Sequence, residues 1–410
     1  MEPLKEGQTK EEMIQQKAID KPSLYLRVQI VALNDFSEAQ VNSAKHELEL
    51  ALPDVTLNFV NNDPLAIFFL SGGTERRSLE IIGDKTNIIL LAFSRDNAYA
   101  SASEVKAYLG NQGVKSWLCN MSDDLMVDQL KRFISVWTRV RGFTHKRIGL
   151  IGKVSDWLVF SNPKAELLKA KFGIRMKVFP WSDFPEMKTF PHSNEYLEFY
   201  KGYGDTQLEE HSRVHYLIEQ VIDEYKLDGV AVECFSILQN ANETACLSLA
   251  FLNQKGIPAS CEGDLVSLTG MLLIKHITGL IPWMANLSGL FSDRVEFSHC
   301  TIAPMYLEDY ELKTHFETGK GLAVSGVLSS ENYTILRFDQ NFENAFIAQG
   351  VNVPQEWKPF ACRAQLTLSL QDSDTQKMQN SPLGNHHLII PGDFTEVLRI
   401  ACEYLNITVI

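Results

Sequence analysis

Gly256-Ile-Pro-Ala-Ser-Cys-Glu-Gly-Asp264, running into Leu265-Val-Ser-Leu-Thr-Gly-Met-Leu-Leu-Ile-Lys-His-Ile277, is the stretch whose reading decides the fold. Residues 257–260 are a short run ending in small residues, which reads as a buried strand. Residues 265–277 are apolar at helical spacing, and the two are joined by a turn carrying two carboxylates. A strand that turns directly into a helix is the unit of a parallel sheet. Open sheets of this kind bind ligands just outside the carboxyl ends of their strands. Glu262 stands at that place and is singled out as a site residue. Asp264, at the helix start, reads more simply as a cap on backbone N–H groups.

Working outward, the same alternation repeats. Strands are expected at 229–233, 173–179 and in Arg147-Ile-Gly-Leu-Ile-Gly152, with helices at 163–171, 208–226 and 243–255. Nearer the N-terminus, strands at 24–32, 55–60, 65–70 and 87–93 alternate with helices at 37–50, 100–109 and 125–141. From about Arg294 the period changes. Residues 295–302, 321–327, 333–338 and 364–370 read as strands with no long helix between them, followed by a helix at 394–405 and a last strand at 407–410. The expected fold is α/β, with two Rossmann-like parallel-sheet α/β domains and a C-terminal, mostly antiparallel β domain. The boundaries are 1–21 for a polar N-terminal tail, 22–146 for the first α/β domain, and 147–290 for the second, carrying Glu262. The β-rich domain is 291–410, carrying His299 and His387. The polar stretch 182–204 is loop-like and could cover a cleft.

Composition narrows the function classes. The chain has 410 residues, 45% hydrophobic and 22% charged, with a formal net charge of −13. That charge argues against a nucleic-acid partner, which calls for a basic face. No run of 18 apolar residues is present, so no membrane span is expected. The polar first 21 residues have no apolar signal core, so the expected compartment is a reducing cytoplasm. The seven cysteines are scattered without a Cys-x-x-Cys, which argues against a zinc ribbon or a disulfide scaffold. On that reading the sequons at Asn242, Asn286, Asn332 and Asn406 carry no meaning.

Several smaller features have two readings. Ser71-Gly72-Gly73-Thr74-Glu75 after an apolar run is either a plain turn or a place where exposed N–H groups meet a ligand hydroxyl. Gly152 is either an ordinary strand-to-helix turn or a close backbone approach. There is no G-x-G-x-x-G, no G-K-[ST] and no G-x-S-x-G, so nucleotide binding and serine hydrolysis lack their signatures. Asn286 is a polar strand end or a site amide. His299 is a satisfied strand histidine or a ligand. The pair His386-His387 stands in a polar turn, and neighbours on an extended chain face opposite ways, so at most one can face a metal. Glu233 is a second acid near the expected cleft. Arg337 and Arg363 are strand arginines able to meet hydroxyls.

The order and spacing of Cys261-Glu262-Gly263-Asp264, Asn286, Ser298-His299-Cys300 and Gly384-Asn385-His386-His387 resemble the C-terminal half of the L-fucose and L-arabinose isomerases. Those enzymes hold Mn²⁺ between carboxylates and histidine and move a hydrogen between C1 and C2 of a sugar. The resemblance implies Glu262 as base and metal ligand, with His299 and His387 as further ligands. It implies Asn286 at the place of the family's second carboxylate, which both binds metal and carries a proton. Asn keeps an amide oxygen but accepts no transferable proton. Gly72, Gly73, Asp96, Asn97, Trp157, Asp264 and His386 then fall on the sugar side. The implied function is a metal-assisted aldose–ketose isomerase working through an enediol, with a small-molecule sugar as partner and a trimeric or hexameric assembly. The alternative is a non-catalytic carbohydrate-binding or regulatory relative that keeps the cleft without the proton shuttle.

Overall fold

The computed structural model describes residues 24–33, 36–203, 208–241, 243–354 and 356–410, the side chains of 238–241 excepted. The expected tail at 1–21 and the sequon at Asn242 lie outside these. Two compact units are present, Lys21–Arg141 and Gly142–Ile410. The first is built on β1 (Leu24–Val31), β2 (Val55–Phe59), β3 (Ala66–Phe69), β4 (Asn87–Ala92) and β5 (Lys115–Asn120). These strands are all parallel, in the order β2-β1-β3-β4-β5. Strands such as β3 (Ala-Ile-Phe-Phe) are buried along their whole length because helices cover the sheet. Val31, Ile67, Phe69, Leu90 and Ala92 pack against Ala98, Ala102 and Val105 of helix Ala98–Asn111.

The second unit joins two sheets. β6 (Arg147–Ile151), β7 (Arg175–Phe179), β8 (Gly229–Val232) and β9 (Ala259–Cys261) form a parallel sheet in the order β7-β6-β8-β9. The chain leaves β6 for one side and returns to the other, so strand order reverses between β6 and β8. A crevice at the carboxyl ends of such a pair is the ordinary ligand position. The remaining strands are β10 (Trp283–Leu290), β11 (Val295–His299), β12 (Leu307–Thr314), β13 (Leu322–Leu328), β14 (Asn332–Phe338), β15 (Asn344–Asn352), β16 (Ala364–Ser369), β17 (His386–Pro391) and β18 (Thr408–Val409). Their order is β12-β13-β16-β11-β10-β17-β14-β15-β18, and an extra β15–β16 pairing closes the central strands into a barrel. All contacts are antiparallel except β13–β16 and β15–β18.

This is the expected fold class, with two differences of detail. β10 pairs with β11 and β17, so a boundary at 290 would cut a hairpin of the barrel. His386 and His387 do not sit in a turn; they open β17, whose six residues are all buried. The two sheets of the second unit are joined by helix Leu265–Thr278, which packs on β8 and β9 and also on β14 and β17. That double contact explains its composition. A helix covered on both sides has no polar face, and the run from Leu265 to Ile274 is buried without interruption. Among the described residues no helix is long and apolar enough to cross a membrane.

Gly263, in the turn before this helix, has φ +69, and a Cβ there would lie 2.4 Å from the Lys153 carbonyl oxygen and 2.9 Å from Val154 Cα. Both obstacles are backbone, which does not swing aside. Gly256 has a similar φ of +83 but open space around it. We therefore expect Gly256→Ala to cost about 1 kcal/mol of conformational strain. Gly263→Ala should cost about 2–5 kcal/mol, because overpacking adds to strain. Urea unfolding midpoints of the two variants measure this, and equal losses would refute the close-approach account.

Candidate functional site

Glu262 follows β9 directly and adopts φ +59, a left-handed conformation unusual for a residue with a side chain. Three backbone bonds hold it there. Ser155 N donates to the Glu262 carbonyl at 3.0 Å, Gly263 N to Val232 O at 3.0 Å, and Asp264 N to Cys261 O at 3.0 Å. The carboxylate emerges largely buried, its side chain 14% exposed. Trp157 Nε1 donates to Glu262 Oε2 at 2.5 Å, and His386 Nε2 lies 3.7 Å from Oε1.

Asp264 is the cap its sequence position suggested. Its Oδ1 accepts from Ser267 N at 2.7 Å and its Oδ2 from Ser267 Oγ at 2.9 Å. It is fully buried and does more than cap. Its Oδ2 is 2.8 Å from His386 Nδ1 and 3.6 Å from Arg337 Nη1. The Arg337 guanidinium is itself buried, donating from Nη2 to Ser161 Oγ at 2.7 Å and from Nε to the Leu383 carbonyl at 3.0 Å. Burial alone would raise the Asp264 carboxyl. The His386 hydrogen bond and the Arg337 charge outweigh it and bring it down to about 2. Burial likewise opposes the charged form of His386, but Asp264 and Glu262 raise it to about 9. Glu262 follows the same pattern, burial being overcome by His386, His299 and Trp157, and is held below its ordinary value.

The third member of the cluster is His299 at the end of β11. It is buried, with Nδ1 3.1 Å from Thr301 Oγ1 and its ring 5.5 Å from that of His386. Burial, and then the charge of His386, lower it to about 4, so its ring is neutral at ordinary pH. Donor atoms of Glu262, His299 and His386 all lie within 4.8 Å of one another. One carboxylate and two imidazoles form a donor set that fits a divalent cation. Two details favour that use. His386 Nε2 is buried with no hydrogen-bond partner, and Asp264 on Nδ1 fixes the ring so that Nε2 points at Glu262.

His387, expected as the ligand, lies outside this cluster. Its Nδ1 is 2.7 Å from the Asn385 carbonyl, and its ring packs on Phe297 and Phe346. The neighbouring His386, expected on the sugar side, faces Glu262 instead. Asn286 is adjacent, paired across β10 with Ser298 of β11 and His386 of β17. Its Oδ1 accepts from Asn385 Nδ2 at 2.7 Å. With Ser288, Glu296, Ser298, Lys358 and Gln365 it lines a cavity of about 230 Å³. Glu233 sits at the end of β8, where Lys153 N donates to it at 3.1 Å. A Cβ at Gly152 would fall 2.4 Å from Glu233 Oε2, so glycine there makes room for the carboxylate. Arg363 donates to the Thr314 carbonyl. Gly72, Gly73, Asp96 and Asn97 come together in the first unit, where Gly72 N donates to Asp96 O at 2.8 Å. Sequence reasoning did not foresee the Asp264–His386–Arg337 group. Its signal was an arginine inside the apolar run Tyr333–Phe338.

No family model matches the chain. It is 20% identical over 308 residues to the sulfoquinovose isomerase of Priestia aryabhattai, the alignment covering 70% of this chain and 69% of that protein. The sulfoquinovose isomerase of Priestia megaterium matches to the same extent.

The charges predict a pH signature in chelator-treated protein. His386 is raised from 6.5 to about 9, so its contribution is complete below pH 6.5 and is lost as pH climbs through 9. Asp264 is lowered from 3.8 to about 2, so its contribution is present above pH 3.8 and is lost as pH falls toward 2. Thermal midpoints of the wild type should decline between pH 6.5 and 9, and His386→Asn should flatten that decline. An unchanged slope in the variant would show that His386 is not the titrating group.

Proposed function

We propose that this protein is a metal-assisted aldose–ketose isomerase that works through an enediol. The observation that carries the reading is the buried Glu262–His299–His386 donor set, with Asp264 orienting His386. The similarity to sulfoquinovose isomerases supports the same class of chemistry. The cavity beside Asn286, lined by polar side chains and by Phe297, Phe316 and Phe360, has room for a small ligand.

Glu262, His299 and His386 would hold the cation, Mn²⁺ in our reading. Such a cation would supply Lewis-acid stabilisation of the negative charge that develops on the sugar oxygens. Proton movement falls to this chain's own carboxylates. Asp264 is unsuited to it, being fully buried and engaged by Ser267, His386 and Arg337. Asn286 accepts no proton. Glu262 therefore acts alone at carbon, taking the C2 proton and returning it to C1, while the hydroxyl proton passes from O2 to O1 of the enediol. One carboxylate suffices because both carbons of a cis-enediol present the same face to it. The Asn286 side chain uses Oδ1 on Asn385, which leaves its Nδ2 to donate to a substrate hydroxyl. Trp157, donating to Glu262 Oε2, holds the carboxylate in place between the two transfers.

The test is proton exchange. Protein loaded with Mn²⁺ is incubated in D₂O with a panel of aldoses and ketoses, sulfoquinovose among them. Deuterium should enter at C1 or C2 of one sugar. Glu262→Gln should lower that rate about 10²–10⁴-fold, the ordinary cost of losing a general base. Asn286→Asp should raise metal affinity, since a charged ligand replaces a neutral one. An unchanged rate in Glu262→Gln would sink the mechanism. Chelator-insensitive sugar binding without any exchange would point to a binding protein instead.

A further inference from the structure

Five of the seven cysteines come from distant parts of the chain into one row. Cys234 opens the helix Cys234–Ala241 just after β8, and Cys261 is the last residue of neighbouring β9. Their sulfurs are 3.0 Å apart in the reduced form, and both residues are buried. The row continues from Cys261 to Cys246, which opens the helix Cys246–Gln254 packed on β9. Cys246, Cys300 and Ala323 form one packed group, with Cys362 against its outer side. Cys362 is the partly exposed member, and it lines the same cavity as Asn286. The row thus has an open end at the cavity and a closed end beside Glu233 and Glu262.

A buried reduced cysteine is ordinarily a small apolar side chain. Five in contact, with one end reachable from solvent, have a further chemistry open to them, because each neighbour can resolve oxidation of the next. We propose that Cys234 and Cys261 are an oxidation site that closes to a disulfide, with a hydroperoxide as oxidant and Cys362 as the entry point. The Cys362 sulfur attacks the peroxide, the O–O bond breaks, and the sulfur becomes a sulfenic acid as an alcohol or water leaves. Cys300 displaces the sulfenic oxygen as water, giving a Cys300–Cys362 disulfide. Three exchanges then move the bond inward. Cys246 attacks Cys300 and frees Cys362, Cys261 attacks Cys246 and frees Cys300, and Cys234 attacks Cys261 and frees Cys246. In sum, two thiols lose two hydrogens and two electrons, and the peroxide gains them.

Cys261 directly precedes Glu262, whose left-handed backbone is held by bonds to the same two strand ends. Drawing Cys261 onto Cys234 shifts that turn, so the oxidised protein loses the Glu262 position. The crosslink is read by mass and stands independently of the isomerase reading; only the accompanying loss of activity rests on it. Holding full-length protein with hydrogen peroxide and mapping its peptides should give a Cys234–Cys261 disulfide that a dithiol reductant reverses. Cys362→Ser should form it about tenfold more slowly, and Cys234→Ser should not form it. Sugar exchange, where present, should fall with the crosslink and return on reduction. Wild-type protein that keeps both thiols free, or whose final disulfide joins another pair, would overturn the site. An undiminished rate in Cys362→Ser would overturn the route. The wild-type map needs no variant to fold.

Discussion

The second unit turns on one buried carboxylate. Asp264 has no access to solvent, and an uncompensated charge in that position would be strongly destabilising. It is tolerated because Ser267, His386 and Arg337 surround it. Breaking such a group by deleting one partner costs about 3–5 kcal/mol, since the others are left buried and unpaired. The same carboxylate caps the helix that packs between the parallel sheet and the barrel. Arg337 lies on β14 and His386 on β17, so the cap also fastens the barrel to the helix. Fold and site are held by a single set of bonds.

Glu262 stores strain at the opposite end of that turn. Its left-handed backbone costs about 1–3 kcal/mol, and a helix start could be built without it. What the conformation achieves is direction. The chain leaves β9, reverses twice at Glu262 and Gly263, and presents the carboxylate toward the barrel histidines. Holding both sides of a metal or substrate site on rigid elements is the structural requirement for catalysis by positioning. Strain in the turn and burial of Asp264 are two costs accepted for one arrangement.

Much of this was legible in the chain. Strands such as β4 (Asn87–Ala92) announce themselves as unbroken apolar runs, and the turn after β9 announces Glu262 by its place in a β–α unit. Other elements gave little signal. β12 (Leu307–Thr314) lies at the sheet edge, is largely exposed and carries mostly polar residues, so no hydrophobic period marks it. β17 opens with two histidines after Ser-Pro-Leu-Gly-Asn, which looks like a turn until barrel closure buries it. His387 is the ligand expected on the family resemblance alone, whereas the structure brings the neighbouring His386 to Glu262 and His299. Strand side chains alternate, so an error of one residue moves the whole set to the other face. Arg337 shows the same limit. An arginine in an apolar strand signals a buried acid, but nothing in the sequence says which one.

On the proposed reading, an amide at Asn286 where an acid would add charge sets the charge balance of the site. Asp264 and Glu262 together carry two negative charges, and Arg337 and a protonated His386 balance them. With His386 at about 9, the proton on Nε2 completes that balance at neutral pH. The same nitrogen is the one a divalent cation would use, so proton and cation are alternatives for a single position. An acid in place of Asn286 would add a third negative charge, favouring a doubly charged occupant over a singly charged one. In the proposed isomerase the neutral amide tilts that competition toward the proton. In the proposed isomerase such a site would hold a cation weakly and in a pH-dependent manner, with Glu262 left as the carboxylate of the cluster that carries the proton at carbon.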